Sequence, residues 1–352
     1  MVQMKSILCT LFNVNYLDKG IVLYNSLETV CSEFVLYVLA MDDRCYEVLT
    51  SLNRPFLIPI KLSDFENEQL IAAKKNRSFG DYCCTCSSSL IKYILDTYEA
   101  HECTYIDADM CFYSDPSIII KEMYDKGASA LVVSHRFDKY AKSTQFIVGR
   151  YCVEFNTFRN DANGRTLLDN WVNQCLNSCE RANDGVHYGD QRYTDEWTDK
   201  YDFVVETTFD GAGVAPWNVR HYRWINPDQD GNPYILKYNG VAQPLIFYHF
   251  ENLRYLSRDT VYISAFRGWF NDSHFIYHIY SDYLNKIESV KKMLLQNHNV
   301  DILLKSHPAI TNKSKKISRY IGYIKNFIPF IMLGLPTKLF KRKNIINLKP
   351  VK

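Results

Sequence analysis

The 352 residues suffice for one large α/β domain with an appendage, or for two modest domains, and 47% apolar content supports a sizeable core. The net charge of +2 hides an asymmetry: from Lys313 onward there are eleven basic residues and no acid, which leaves 30 basic against 39 acidic residues before it, a net of −9. A mildly acidic body with a basic tail points to an anionic partner for the tail. A bilayer-spanning helix is excluded there, because the longest uncharged apolar run, Phe327 to Leu335, is nine residues and contains Pro329, against roughly 20 needed.

The N-terminus goes directly from Met4 to Phe12 into a strand-like run, without the basic start, apolar stretch and small-residue cleavage site of a signal peptide. The eleven cysteines are an odd number scattered through apolar runs. Cys83-x-x-Cys86 is half a zinc site with no second pair after it, so buried reduced thiols in a reducing compartment are expected. These features predict a cytosolic protein in which the Asn-x-Ser sites at Asn76, Asn271 and Asn312 go unused.

In chain order, Ser6–Phe12 is a strand candidate, followed by a loop at Asn13–Tyr16 and a helix over Gly20–Val30. Phe34–Ala40 is a second strand ending at Met41-Asp42-Asp43, and Leu57–Ile60 a third. This alternation predicts a parallel sheet whose strand ends face a ligand crevice. No G-x-G-x-x-G follows the first strand, so a nucleotide would be held by side chains such as Asn13, Tyr16 and Asp42. A helix over Ser87–Tyr98 then delivers the chain to Thr104–Ile106, a short buried strand that runs into Asp107-Ala108-Asp109 and leaves through Ser114-Asp115-Pro116. Further elements are a helix at Ile118–Lys126, strands at Ala128–Val133 and Tyr151–Phe158, and a helix at Asn163–Cys179. Loops rich in Gly, Trp and Asp follow, then a last strand, Pro244–Tyr248, ending in His249. Beyond about residue 285 the chain turns helical and then basic, which divides it into a body, 1–285, and a tail, 286–352.

Two carboxylates one residue apart at the end of an apolar strand are costly to bury unless a cation meets them. A hard divalent ion needs such oxygens and keeps substrate phosphates in its shell. Taken alone, the pair reads equally well as a strand terminus with two solvated acids.

In order along the chain stand Tyr105-Ile-Asp-Ala-Asp-Met-Cys-Phe-Tyr-Ser-Asp-Pro116, Ser134-His-Arg-Phe137, Phe158-Arg-Asn-Asp161, Gly189-Asp-Gln191, Ala215-Pro-Trp-Asn218 and Phe247-Tyr-His-Phe250. With this ordered set the chain resembles GT-A-fold glycosyltransferases, specifically the bacterial nucleotide-diphospho-sugar transferase group related to glycosyltransferase family 8, over about residues 5 to 255. The resemblance implies a mixed, mainly parallel α/β sheet flanked by helices, here with a helical basic C-terminal extension. It implies that Asp107, Asp109 and His249 hold Mn2+, with Mg2+ as the alternative, and that Ala108 lies among the donor contacts. It further implies that Asp190 accepts hydrogen bonds from the donor sugar while Gln191 faces the anomeric carbon. His135, Arg136, Trp217 and Asn218 become donor or acceptor contacts. Arg254 offers a cation to the diphosphate, but Asn252 stands at the family's glycine position and no lysine follows at the family's spacing. Cys152 and Glu154 stand where relatives have Asn and Gly, which leaves the acceptor side open.

The expected activity is metal-dependent transfer of a hexose from a nucleotide sugar, a UDP-sugar with retention, to a cell-surface polysaccharide or lipid-linked glycan. Whether Asp190 bonds covalently or the leaving phosphate deprotonates the acceptor stays open. A strand-Asp-x-Asp phosphatase fits poorly, since its nucleophile stands near the start of its domain and Asp42-Asp43 precedes Asp107. A non-catalytic sugar-nucleotide or glycan-binding relative is the other class, and the intact metal trio argues against it. The tail mixes apolar and basic residues, too apolar for a solvated nucleic-acid arm. The expectation is an interfacial segment on the anionic inner face of the plasma membrane, with no nucleic-acid partner.

Overall fold

The structure, a computed structural model, describes residues 5–138, 141–182, 187–225, 234–237, 240–258, 260–264, 273–302 and 345–347. The first half alternates strands and helices: β1 (Ser6–Phe12), α1 (Leu17–Val30), β2 (Phe34–Ala40), α2 (Asp43–Ser51) and β3 (Leu57–Lys61). Short helices α3 (Leu62–Phe65) and α4 (Glu68–Lys74) lead to the long α5 (Phe79–Thr97). Then come β4 (Glu102–Ile106), β5 (Met110–Phe112), α6 (Ser117–Asp125), β6 (Ala130–Ser134), α7 (Gln145–Val148), β7 (Tyr151–Arg159) and α8 (Ala162–Asn177). The remainder is α9 (Trp197–Lys200), β8 (Val204–Glu206), β9 (Tyr222–Ile225), β10 (Tyr234–Lys237), β11 (Ala242–Pro244), β12 (Phe247–His249), β13 (Arg254–Ser257), β14 (Thr260–Tyr262), α10 (Ser273–His298) and β15 (Ile345–Asn347).

Seven strands form the central sheet in the order β3-β2-β1-β4-β7-β6-β8. Only β7 runs against the other six, so the sheet is mixed and mainly parallel, as the motif resemblance implied. Every residue of β2, Phe-Val-Leu-Tyr-Val-Leu-Ala, is buried, as a central parallel strand covered on both faces requires. One sheet face packs on α5 and α8 through Leu90, Ile94, Leu168 and Trp171. The other packs on α1, α2, α6 and α10 through Leu23, Val48, Ile120 and Ile279.

Parallel strands bring their carboxyl ends to one edge. Asn13 follows β1, Asp42 follows β2, Asp107 follows β4 and His135 follows β6, so four residues singled out from the sequence share that edge. The helix expected over Ser87–Tyr98 begins earlier, at Phe79, because Ser78 caps it: its side-chain oxygen accepts the Asp81 N–H at 3.2 Å. Cys83 to Cys86 therefore lie on a helix, and all eleven cysteines are free.

The Asp-x-Asp stretch differs from expectation. It does not close a strand but joins two, because Met110–Phe112 leaves the central sheet and pairs antiparallel with Phe247–His249. His249 therefore lies within β12, directly opposite Met110, and Pro244 belongs to a separate sheet with β10 and β9.

The anticipated boundary at residue 285 falls inside α10, which runs unbroken from Ser273 to His298. Phe275, Ile276, Ile279, Tyr280, Tyr283, Ile287, Val290 and Leu294 of this helix are buried in the main core. Tyr283 stacks on Phe250 with ring centroids 3.6 Å apart, which braces the strand carrying His249. The basic-aromatic tail expected beyond it, residues 303–344 and 348–352, lies outside the described residues. Among the described residues no helix is long and apolar enough to cross a membrane.

A chain ending at residue 285 should lose the burial of Ile287, Val290 and Leu294, each worth about 2 kcal/mol. In thermal unfolding it should melt well below a chain ending at residue 302; equal midpoints would show that the second half of α10 is dispensable.

Candidate metal centre

The site is built where β4 gives way to β5. Both ends of Asp107-Ala108-Asp109 are pinned through the backbone: the Asp107 N–H donates to the Glu154 carbonyl at 3.2 Å, and the Phe250 N–H to the Asp109 carbonyl at 2.9 Å. Ala108 is buried between them. Opposite stands His249, 140 residues further along the chain, with Nε2 3.1 Å from Asp109 Oδ1. The same nitrogen is 3.7 Å from Asp107 Oδ2. Its other nitrogen, Nδ1, is 2.5 Å from Oε2 of Glu154, whose side chain is fully buried on β7.

Glu154 is the residue that sequence reasoning left without a role. An acid inside the strand Tyr151–Arg159, buried at every position but the last, stands out, but nothing local shows that His249 arrives beside it. Its second oxygen, Oε1, is buried and has no hydrogen-bond partner. Gly213, at φ +76°, makes room for it, since a Cβ there would come within 3.0 Å of Oε1 and 2.6 Å of Val133.

The charges in this small volume pull on one another. Burial, with Asp109, Asp190 and Glu154 nearby, pushes Asp107 up to about 7 despite the opposing pull of His249. Burial would raise Asp109 too, but His249 and Lys19 outweigh it and hold Asp109 below the usual carboxylate range. Burial lowers His249, yet Asp109 and Glu154 drive it well above its ordinary value. An excess of buried carboxylates around one imidazole is a site short of positive charge.

Asp107, Asp109 and His249 are the donors that a divalent ion at the strand ends would draw on. Adjacent ligand atoms of an octahedral ion with bonds of ~2.1 Å stand about 3 Å apart, close to the separations from His249 Nε2 to the two aspartates. Among the described residues the set whose ligand atoms all lie within 4.8 Å of one another is Cys152, Glu154 and His249, and not the two aspartates with His249. That set, however, is wholly buried, and its Glu154 already holds Nδ1 of His249. The Asp107 and Asp109 side chains retain 31% and 17% exposure, so the aspartate side of the ring can still admit a ligand. A catalytic ion needs that opening.

Asp190 joins the electrostatic neighbourhood of Asp107. Its Oδ2 accepts the Ser87 hydroxyl at 2.5 Å, its carbonyl accepts the Trp171 indole N–H at 2.9 Å, and burial pushes its carboxyl up to about 6. Gln191 next to it donates to the Val148 carbonyl at 2.5 Å. His135 is buried and held near 4, hence neutral; its ring stacks on Phe137 and meets the edge of Trp217. Trp217 in turn stands perpendicular to His249, centroids 5.4 Å apart, and shields its flank.

Several residues expected to touch ligand are committed to the scaffold. Asn218 donates to the carbonyls of His135 at 2.9 Å and Gly213 at 2.7 Å and accepts the Ala215 N–H at 2.9 Å, which uses both of its donors. Arg136, at φ +46°, grips the carbonyls of Phe209, Asp210 and Ala212. Asp42 accepts the N–H of Val14 at 2.9 Å and caps α2 through the Cys45 N–H at 2.7 Å, so it fixes the first loop. Asn13 caps the next turn by accepting the Asn15 N–H at 3.1 Å. Tyr16 is 42% exposed and feels the charge of Asp109. Arg254 is exposed on β13 and hydrogen-bonded to Asn252. Surface cavities of about 410 Å³ beside α8 and 500 Å³ between α2 and the end of α10 are lined by none of these residues.

No family model matches the chain. The uncharacterized protein YfnF of Bacillus subtilis (strain 168) is 32% identical over 267 residues, 73% of this chain and 85% of YfnF. The uncharacterized protein YfnD of the same strain is 29% identical over 245 residues, 69% of this chain and 76% of YfnD. Among solved structures, the galactosyltransferase LgtC in complex with donor and acceptor sugar analogues is 13% identical, covering 80% of this chain and 95% of that one, with a TM-score of 0.49. The glycosyltransferase GlyE of Streptococcus pneumoniae TIGR4 is 12% identical, covering 82% and 63%, with a TM-score of 0.44. Mouse xyloside xylosyltransferase 1 is 14% identical, covering 58% and 85%, with a TM-score of 0.41. These structural likenesses are too distant to carry a residue-level argument.

If Glu154 fixes the His249 ring, Glu154→Leu should weaken Mn2+ binding by about 10–100-fold, and Glu154→Gln, which keeps an acceptor for Nδ1–H, by less. Calorimetric titration with Mn2+ decides, and equal affinities in all three proteins would remove the assignment. Mn2+ must also displace protons from Asp107, at about 7, and from the raised His249. Affinity should therefore fall by about tenfold or more from pH 8 to pH 6; a flat profile would contradict the aspartate–imidazole set.

Proposed function

We propose that this chain, which belongs to the family of the Bacillus subtilis protein YfnF, is a metal-dependent glycosyltransferase moving a hexose from a nucleotide-diphosphate sugar to a glycan. The supporting observation is the meeting of His249 with Asp109 and Asp107, at 3.1 and 3.7 Å, from parts of the chain that share no local pattern. The ordered motifs of the sequence and the placement of Asn13, Asp42, Asp107 and His135 at one edge of the sheet support the same reading.

In this reading Asp107, Asp109 and His249 hold Mn2+ or Mg2+, and the ion's chemistry is to neutralise charge on the departing diphosphate. Glu154 keeps Nε2 of His249 turned toward the aspartates. Tyr16, at the exposed rim, receives the nucleotide of a UDP-sugar, on the loop held by Asn13 and Asp42. Asp190 accepts hydrogen bonds from sugar hydroxyls, and Gln191 lies beside it toward the anomeric carbon. Trp217 and His135 wall the pocket, while Asn218 and Arg136 hold that wall in shape. The acceptor is a cell-surface polysaccharide or a lipid-linked glycan, reached from an anionic membrane surface through residues 313–352.

Asp109→Ala should abolish Mn2+-dependent hydrolysis of the donor while the melting temperature stays within a few degrees of wild type; undiminished turnover would end the metal assignment. Thermal shifts with UDP, GDP and their sugars in Mn2+ identify the donor, and a protein stabilised by none of them would contradict the proposal. Removal of residues 313–352 should release the protein from phosphatidylserine vesicles without ending donor hydrolysis. Vesicle binding that survives the deletion would place the membrane contact elsewhere.

A further inference from the structure

Lys19 lies in the first turn of α1, between Asp18 and Gly20. The glycine lets the helix press against the end of β1, since a Cβ at Gly20 would come within 2.2 Å of the Phe12 ring. That approach leaves Lys19 only 5% exposed. Its ammonium stands 4.0 Å from the centroid of the Tyr16 ring and 5.8 Å from that of Tyr255. Among the described residues, no carboxylate oxygen lies within 4.0 Å of Nζ and no hydrogen-bond acceptor meets it.

Asp18, the adjacent acid, is spent elsewhere: Oδ1 accepts the Lys19 backbone N–H at 2.9 Å, and Oδ2 accepts the Tyr255 hydroxyl at 2.5 Å. An ammonium has three N–H donors and no acceptor. The ring faces answer its charge in part, and its N–H donors are left to water or to an arriving anion. Burial pulls its pKa down, but Asp18, Tyr16 and Asp109 more than reverse this, so the group stays charged. The helix that carries Lys19 is tied to β5, the strand that starts just after Asp109, by the Phe112 N–H donating to the Ser26 hydroxyl at 3.0 Å, and Asp109 is near enough to raise Lys19. Arg254, the cation expected from the sequence, is instead exposed on β13 and engaged with Asn252.

We infer that Lys19 binds the diphosphate of the nucleotide-sugar donor, its ammonium donating to phosphate oxygens beside the metal centre. The inference rests on the glycosyl-transfer reading above. It assigns the positive charge of the donor site to the first helix and not to the segment after His249.

The test is titration of the full chain with Mn2+ alone, and with UDP, GDP and inorganic pyrophosphate in saturating Mn2+, for wild type, Lys19→Met and Lys19→Arg. K19M should weaken diphosphate binding by about tenfold or more, the worth of one charge-assisted hydrogen bond. It should bind Mn2+ alone as tightly as wild type or tighter, because a repelling charge has gone. K19R should retain diphosphate affinity within about threefold. This opposite response of cation and anion is not what a lost packing contact gives. Wild-type diphosphate affinity in K19M, or an equal loss of Mn2+ and diphosphate, would overturn the role of Lys19 and leave the donor reading standing. A wild type that binds Mn2+ and none of the three diphosphates would end both. If K19M does not fold, reductive methylation of the wild type decides: Mn2+ with diphosphate should protect Lys19 in mass spectra, and unchanged labelling would overturn the inference.

Discussion

The structure depends on holding carboxylates together where water is scarce. Burial, with Asp109, Asp190 and Glu154 nearby, raises Asp107, while Asp109 and Glu154 raise His249 against its own burial. Among the described residues the imidazole is the only group that touches three of the four: Asp109 at 3.1 Å, Asp107 at 3.7 Å and Glu154 at 2.5 Å. Such an arrangement is stable only with positive charge in its centre, supplied by a protonated ring or by an ion. Glu154 decides how the two alternate. Its hold on Nδ1 leaves Nε2 as the nitrogen that faces the aspartates, whether that nitrogen carries a proton or a metal.

The rest of the molecule supplies rigidity for that cluster. Six parallel strands bring loops to one edge, and polar side chains then lock those loops to one another instead of pointing into the crevice. Asp42 ties the first loop to α2, Asn218 ties the 213–218 loop to the end of β6, and Arg136 binds the carbonyls of residues 209–212. The floor is the two-stranded pairing of β5 with β12, backed by α10 through the stacked Phe250 and Tyr283 and the edge-on Tyr248 and Tyr280. A helix at the far end of the described chain is thus part of what positions His249.

Local pattern made the parallel strands and most helices legible, because β1, β2 and β4 are short apolar runs broken by polar turns. The carboxylates of Asp107 and Asp109 were legible for the same reason: acids at the end of an apolar strand stand out. What stayed hidden depends on contacts between distant segments. Met110-Cys111-Phe112 reads as a continuation of the strand before it, and only its partner, Phe247–His249, takes it out of the central sheet. Glu154 reads as a lone acid within a buried strand until the imidazole appears beside it. Asn218 and Arg136 have the chemistry of ligand contacts, and sequence cannot show that backbone carbonyls already take their donors. Lys19 was hidden by the opposite circumstance, for an ordinary lysine in a first helical turn is solvated, and only the close approach at Gly20 buries this one.

Charge placement also gives the site a direction. The acids lie on the floor, at the strand ends and behind His249, while Lys19 and the exposed ring of Tyr16 lie toward α1 at the rim. On the proposed reading, a divalent ion held by the aspartates and His249 would answer the negative charge gathered at the strand ends, and a diphosphate would then be less repelled than at the ion-free site. The same crowding of carboxylates would favour a cation over an anion as the first ligand, since at an effective dielectric near 20 unit charges about 4 Å apart still interact by several kcal/mol.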